Sequence, residues 1–392
     1  MIKKHAKPIF KGLPDNLQAL VLKNNNNFNK NIFRIIAVGD VGFSGRIQKT
    51  YGKAQTFGEA FSEVLPFLKT GDQVFCNLET PLFNEPAGMM FAGHSNGAKA
   101  LKAAGFNIVH LANNHMLDHG VSGLANTLKL MDENGLNPLG AGYTLKEAKS
   151  LHIVETNGLR SGWLGCGRTL VKQKSSSPCY WEYDQEEILE VVKESKQKVD
   201  FLVLSIHTGL MYLDYPKPET KAFAEKLLEN GVDLILMHHA HVLQSVQVHQ
   251  NGGICCFNLG NFLLDIKEGN VEISIMAREQ TESAVFVFDV DQDGIHSAFA
   301  VPVYLDDDFV IHWAEGMRGK RILERLIGIS EVIKGDYSSL FEQQRVERNT
   351  GPMIEVMKFH LRHRNYSYLI KQIGRIRLQH LKMFFKYFTE KL

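Results

Sequence analysis

The chain has 392 residues, 44% of them hydrophobic and 22% charged, with 33 glycines and 11 prolines. Those values fit a globular protein built as one large α/β domain with an appendage, or as two domains, and exclude disordered, collagen-like and disulfide-scaffold classes. Lys and Arg total 44 against 43 Asp and Glu, a net charge of +1, so no global field selects nucleic acid.

Residues 1–31 contain the polar run Asn24 to Asn27 and are expected as a mobile lead-in. From Phe33 the pattern alternates. Strands are predicted over 33–38, 73–78 and 107–111, with helices over 56–68, 96–104 and 121–134 between or after them. Strands over 151–155 and 159–164 flank Asn157-Gly158, a hairpin signal that argues for a mixed sheet rather than a purely parallel one. A helix over 184–196, a strand over 200–206, a helix over 218–229 and a strand over 232–237 follow. Strands over 245–249 and 253–257 surround a second turn, Asn251-Gly252, and further strands are predicted over 271–276 and 283–290. Beyond 305 the character turns helical, over 317–333 and 351–392, and a boundary is placed there.

The cysteine count is five, and Cys255-Cys256 lies inside an apolar run, so the thiols read as reduced small hydrophobes in a reducing compartment. No signal-peptide core and no run near ~18 apolar residues is present. A cytoplasmic location is expected.

In open α/β sheets chemistry collects beyond the carboxyl ends of the strands. Here the predicted strand ends deliver Asp40, then Glu79 after Asn77, then Asn113-Asn114-His115, then His207, then His238-His239-Ala240-His241. Each has a structural alternative when taken alone: Asp40 as a turn cap, Glu79 as a solvated carboxylate, the asparagines as turn formers, His115 as a core histidine. Together they supply imidazole nitrogens and carboxylate oxygens, which is what a pair of divalent transition metals ~3.5–4 Å apart requires. A histidine outside that shell is free to protonate a leaving group, and His115 is the candidate. No G-x-S-x-G elbow and no P-loop appears, and Gly165-Cys166-Gly167 is too short to indicate a dinucleotide site.

The order Gly39-Asp40, Asn77-Leu78-Glu79, Asn113-Asn114-His115 with Asp118, Gly140-Ala141-Gly142, His207-x-Gly209, His238 to Gln244 and Leu259-Gly260-Asn261-Phe262 resembles the bacterial capsule-synthesis CapA family. That family is named for poly-γ-glutamate biosynthesis and is similar to calcineurin-like metallophosphoesterases. The resemblance spans about residues 33–305 and implies a four-layer α/β/β/α sandwich with mixed sheets, framed here as a lead-in (1–31), a metallophosphoesterase-like domain (32–305) and a helical basic extension (306–392). It implies two divalent metal ions, for which Mn, Fe and Zn all fit. Asp40 and His241 would hold the first metal, Asn114, His207 and His239 the second, and Glu79 would bridge them. His115, with Asp118, would be the proton donor or transition-state stabiliser. His238 would be a neighbour pointing away.

The sequence departs from the pattern in places. Metallophosphoesterases carry a His two residues after the first Asp; here that place is Gly42. Thr208 and Met211 stand where the CapA branch has Trp and Glu, and Met237 and Ala240 where it has Gly and Pro. The function implied is a dinuclear metal-dependent hydrolase of a phosphoester or amide-like bond serving synthesis of a capsule or surface polymer, poly-γ-glutamate or polysaccharide, with an anionic polymer or a phosphoester or amide substrate as its partner. The alternative is a non-catalytic scaffold or export accessory. Residues 358–392 carry nine Lys or Arg against the single acid Glu390, with apolar residues at near-helical spacing. Such a basic amphipathic segment suits a membrane surface, a membrane synthase or the chain's own domain, and would make the protein peripheral at the inner membrane face in the first two cases. Nucleic acid is not an expected partner.

Overall fold

The computed structural model describes residues 3–6, 11–14, 16–24, 31–52, 56–86, 89, 91–168, 178–265 and 277–348. The chain divides into two compact units, residues 1–331 and 332–392. Both large sheets belong to the first; the described part of the second is helical over 338–348.

Among the described residues the first sheet has ten strands. Its parallel half is Phe33–Val41, Gln73–Leu78, Ile108–His110 and Asn137–Leu139. Glu282–Asp291 joins Phe33–Val41 antiparallel, followed outward by Gly294–Leu305, Ala19–Asn24 and Lys3–Ala6. The second sheet has six strands, with Leu159–Gly167, Phe201–His207, Leu234–His238 and Ile254–Cys256 parallel. An antiparallel strand closes each edge through the predicted hairpins: His152–Thr156 and Val246–Val248. Asn157 and Gly158 both take positive φ, +52° and +80°, as a type I′ turn requires.

Period-2 alternation builds the layers. Phe33, Ile35, Ala37 and Phe75 of the first sheet and Trp163, Val203, Leu234 and Leu236 of the second share one core between the sheets. Ile36, Val38, Val74 and Cys76 point the other way, into a core with Phe61, Leu101 and Leu124 from the outer helices. Helices Gln185–Lys196 and Pro218–Glu229 pack on the outer side of the second sheet. The result is the expected α/β/β/α sandwich. Phe75 stacks on Trp163 across the interface, and Gln73 Oε1 accepts hydrogen bonds from Trp163 Nε1 at 2.8 Å and Ser161 Oγ at 2.9 Å. Burying rings of that size contributes about 1.5–3 kcal/mol each, and the Gln73 bonds fix the offset between sheets.

Several elements differ from the sequence reading. Residues 1–31 are not simply a mobile lead-in: Ala19–Asn24 is a strand whose apolar Leu20 and Leu22 enter the inter-sheet core. The helix expected over 56–68 is broken into the 3-10 turn Phe57–Phe61 and the short helix Leu65–Leu68; Pro66 has no N–H to continue a helix from Ser62. Beyond 305, Ile311–Trp313 still belongs to the first sheet, and helix Gly316–Val332 buries Ile322, Leu323 and Leu326 in the inter-sheet core. The strand expected over 271–276 and the basic segment 358–392 lie outside the described residues. All five cysteines are free. Among the described residues no helix is long and apolar enough to cross a membrane.

Candidate metal centre

The parallel strands of both sheets send their carboxyl ends to one crevice. Asp40 lies near the end of Phe33–Val41, and Glu79 directly follows Gln73–Leu78 with its N–H bonded to Val41 O at 2.8 Å. His207 and His238 end neighbouring strands of the second sheet as register partners. Asn114, His115 and Asp118 come from the loop after Ile108–His110.

These side chains converge. Ligating atoms of Asp40, Glu79 and His241 lie within 4.8 Å of one another, as do those of Glu79, His207 and His239. His241 Nδ1 is 3.4 Å from Asp40 Oδ2 and 3.7 Å from Glu79 Oε2. On the other side His207 Nε2 is 3.5 Å from Glu79 Oε1, 3.2 Å from His239 Nδ1 and 2.6 Å from Asn114 Oδ1. The two groups thus share one residue, Glu79, with one oxygen turned to each. All six residues expected as ligands are in this cluster.

A cation fits the donor set. Asp40 Oδ2 and both Glu79 oxygens are buried without a hydrogen-bond partner, an arrangement that is costly for carboxylates unless positive charge compensates it. Burial alone raises Asp40, but the imidazoles of His238 and His241 outweigh it and hold the carboxyl well below its usual range. Burial pushes Glu79 up, against the pull of His241. His241 is raised because Glu79 and Asp40 overcome its burial, whereas burial, reinforced by neighbouring imidazoles, lowers His207 and His239. Neutral imidazole is the form that ligates a metal.

His115 Nδ1 is 2.7 Å from Asp118 Oδ2. Burial lowers this imidazole's pKa, but the hydrogen bond to Asp118 and the charge of Glu79 more than reverse the effect and leave it above its ordinary value. Phe91 stacks on the His115 ring at 4.2 Å between centroids.

His238 does not point away as expected. Its Nδ1 donates to Asp40 Oδ1 at 3.2 Å. As the register partner of His207 it leaves the sheet on the same side. His239 and His241 also face inward because the chain adopts φ of +100° and +58° there, which breaks strand alternation. Phe91 and Tyr212, each against a histidine of the site, share that strained conformation at +52° and +66°. Holding such residues costs about 1–3 kcal/mol each.

Residues without an assigned role in the sequence reading complete the support. Asn77 Nδ2 donates to Asp40 Oδ1 at 2.8 Å and lies 3.2 Å from His207 Nδ1, joining the two sheets. Asn113 Nδ2 donates to Leu78 O at 2.7 Å and to Asn77 Oδ1 at 3.2 Å. Period-2 spacing was the available signal for Asn77, since it shares a strand face with Glu79.

The family model described as "Bacterial capsule synthesis protein PGA_cap" matches residues 34–293. The "Capsule biosynthesis protein CapA" of Bacillus anthracis is 31% identical over 246 residues, 58% of this chain and 59% of that protein. The "PGA biosynthesis protein CapA" of Bacillus subtilis (strain 168) is 28% identical over 280 residues, 69% of this chain and 73% of that protein. The match thus spans little more than half the length of the B. anthracis relative. Among solved structures, a phosphatase from Mycoplasma pneumoniae aligns at TM-score 0.47 and 14% identity, covering 79% of this chain and 99% of that one. With the model matching residues 34–293, the chain belongs to the bacterial capsule synthesis family.

Proposed function

We propose that the chain is a dinuclear metal-dependent hydrolase that cleaves a phosphoester or amide-like bond during synthesis of a capsule or other anionic surface polymer. The observation that carries this reading is Glu79, buried with both oxygens unpartnered and one directed to each histidine group. Divalent ions held there supply Lewis-acid polarisation of a phosphoryl or carbonyl oxygen and lower the pKa of water. Asp40 and His241 would hold one ion and Asn114, His207 and His239 the other, with Glu79 offering an oxygen to each group.

The chain's own groups do the rest. Asn77 fixes Asp40 and His207 in one frame. Asp118 binds His115 Nδ1, which orients the ring and favours its protonated form, the state a leaving-group proton donor needs. The polymer context comes from the names of the Bacillus relatives.

The test is hydrolysis of chromogenic phosphoesters and γ-glutamyl amides by the parent, Asp40→Ala and His115→Ala in the presence of Mn or Zn. The expected result is turnover by the parent, near-complete loss in Asp40→Ala, and a loss of about 10²–10⁴-fold in His115→Ala. Equal rates in all three proteins would refute the hydrolase reading.

A further inference from the structure

We infer that Asn261 is a ligand of the first metal through its side-chain Oδ1, in place of the histidine that Gly42 replaces. The inference rests on the metal reading proposed above and extends it by one residue.

Asn261 reaches the site by backbone pairing. It opens the short strand Asn261–Leu263, which runs parallel to Phe33–Val41 with Asn261 opposite Asp40. The approach is close: Asp40 N–H donates to Gly260 O at 2.9 Å, and a Cβ on Gly39 would sit 1.8 Å from that same oxygen. Only glycine at position 39 permits it. Gly260, at φ +75°, turns the chain into the strand.

The amide is also oriented. Asn261 Nδ2 donates to Gln280 O at 2.9 Å, which fixes which end is nitrogen and leaves Oδ1 directed inward. That oxygen lies 3.0 Å from His241 Nδ1, the atom that also faces Asp40 Oδ2 at 3.4 Å and Glu79 Oε2 at 3.7 Å. Asn261 is buried. Three oxygens, two from carboxylates and one from an amide, therefore face the one imidazole nitrogen within 3.7 Å. The other group offers Glu79, Asn114, His207 and His239. With Asn261 counted, each ion has four protein ligands, and the missing histidine no longer leaves the first short of one. Three oxygens and one nitrogen make the first set harder than the second, which suits Mn better than the imidazole-rich set does.

The experiment compares the full-length parent with Asn261→Ala and Asn261→Asp. Titration calorimetry with Mn(II) reads affinity at each site, visible absorption of the Co(II)-loaded protein reads coordination, and thermal melting checks the fold. Asn261→Ala is expected to lose at least about tenfold in affinity at one site, leave the other unchanged, and alter the Co(II) spectrum. Asn261→Asp, which keeps the oxygen and adds charge, is expected to bind that ion at least as tightly as the parent. If Asn261→Ala does not fold, the Asp variant decides: weaker binding than the parent overturns the assignment. Parent-like affinities and spectrum in Asn261→Ala also overturn it, as does lost affinity with an unchanged spectrum, which makes Asn261 a positioning partner of His241. A parent that binds no ion removes the metal reading itself; a parent that binds two with Asn261→Ala unaltered removes only the role of Asn261.

Discussion

His238 Nδ1 donates to Asp40 Oδ1 at 3.2 Å, with both residues fully buried. Asn77 Nδ2 donates to that same oxygen at 2.8 Å, so Oδ1 is held twice while Oδ2 is left facing His241. The pair therefore selects which oxygen of Asp40 is available to an ion. Partners of this kind typically contribute 10–100-fold in metal affinity, roughly. His238→Ala should weaken the first ion by about that factor and leave the second near its parent value. Calorimetric titration with Mn(II), with melting as a fold check, measures this. Parent-like affinity at both sites would show that Asn77 alone suffices.

The pKa of His115 depends on Asp118. Burial pulls the imidazole down, and the hydrogen bond and charge of Asp118, with Glu79, bring it above its ordinary value. Asp118→Asn removes the nearer charge, so the His115 pKa should fall and its protonated fraction at pH 7 should drop. Histidine-selective NMR titration of the two proteins reads this directly. An unchanged His115 midpoint would mean that Asp118 does not set its protonation.

A second histidine links pH to stability away from the site. His312 Nδ1 is 2.5 Å from Glu63 Oε2, and its Nε2 is 2.8 Å from Asp306 Oδ2, so the ring ties the segment before Leu65–Leu68 to the end of Gly294–Leu305. Burial lowers His312, and the hydrogen bonds and charges of the two carboxylates together outweigh it and raise it overall. A histidine whose folded pKa is raised stabilises fully below its unfolded value of about 6.5 and loses that contribution as pH rises through the folded value. His312→Gln should therefore lower stability in urea at pH 6 by a few tenths to about 1 kcal/mol. The difference should vanish near pH 9. Equal differences at both pH values would contradict the charge-based account.

Much of this arrangement was legible because the residues obey short-range rules. The strand Gln73–Leu78 and the helices Asn96–Ala104 and Pro218–Glu229 match their predicted spans, since each has one unambiguous period and clear end signals. The ligand types at strand ends were visible because the topology makes them successive. What depended on non-local pairing was not. Gly294–Leu305 carries Pro302 and mixed polarity, and becomes a strand by pairing with Glu282–Asp291 on one side and Ala19–Asn24 on the other. Asn261 looked like part of a loop after Phe257, because its register with Asp40 exists only once Gly39 and Gly260 meet. The inward turn of His238 follows from pairing with His207 across the sheet, which alternation within one strand does not specify.

The most direct test of the central claim is the transition-metal content of protein purified without chelator, measured beside a His239→Ala/His241→Ala double variant. The account predicts about two ions per parent chain and a clear loss in the variant. A parent that holds none after Mn or Zn is supplied would contradict it.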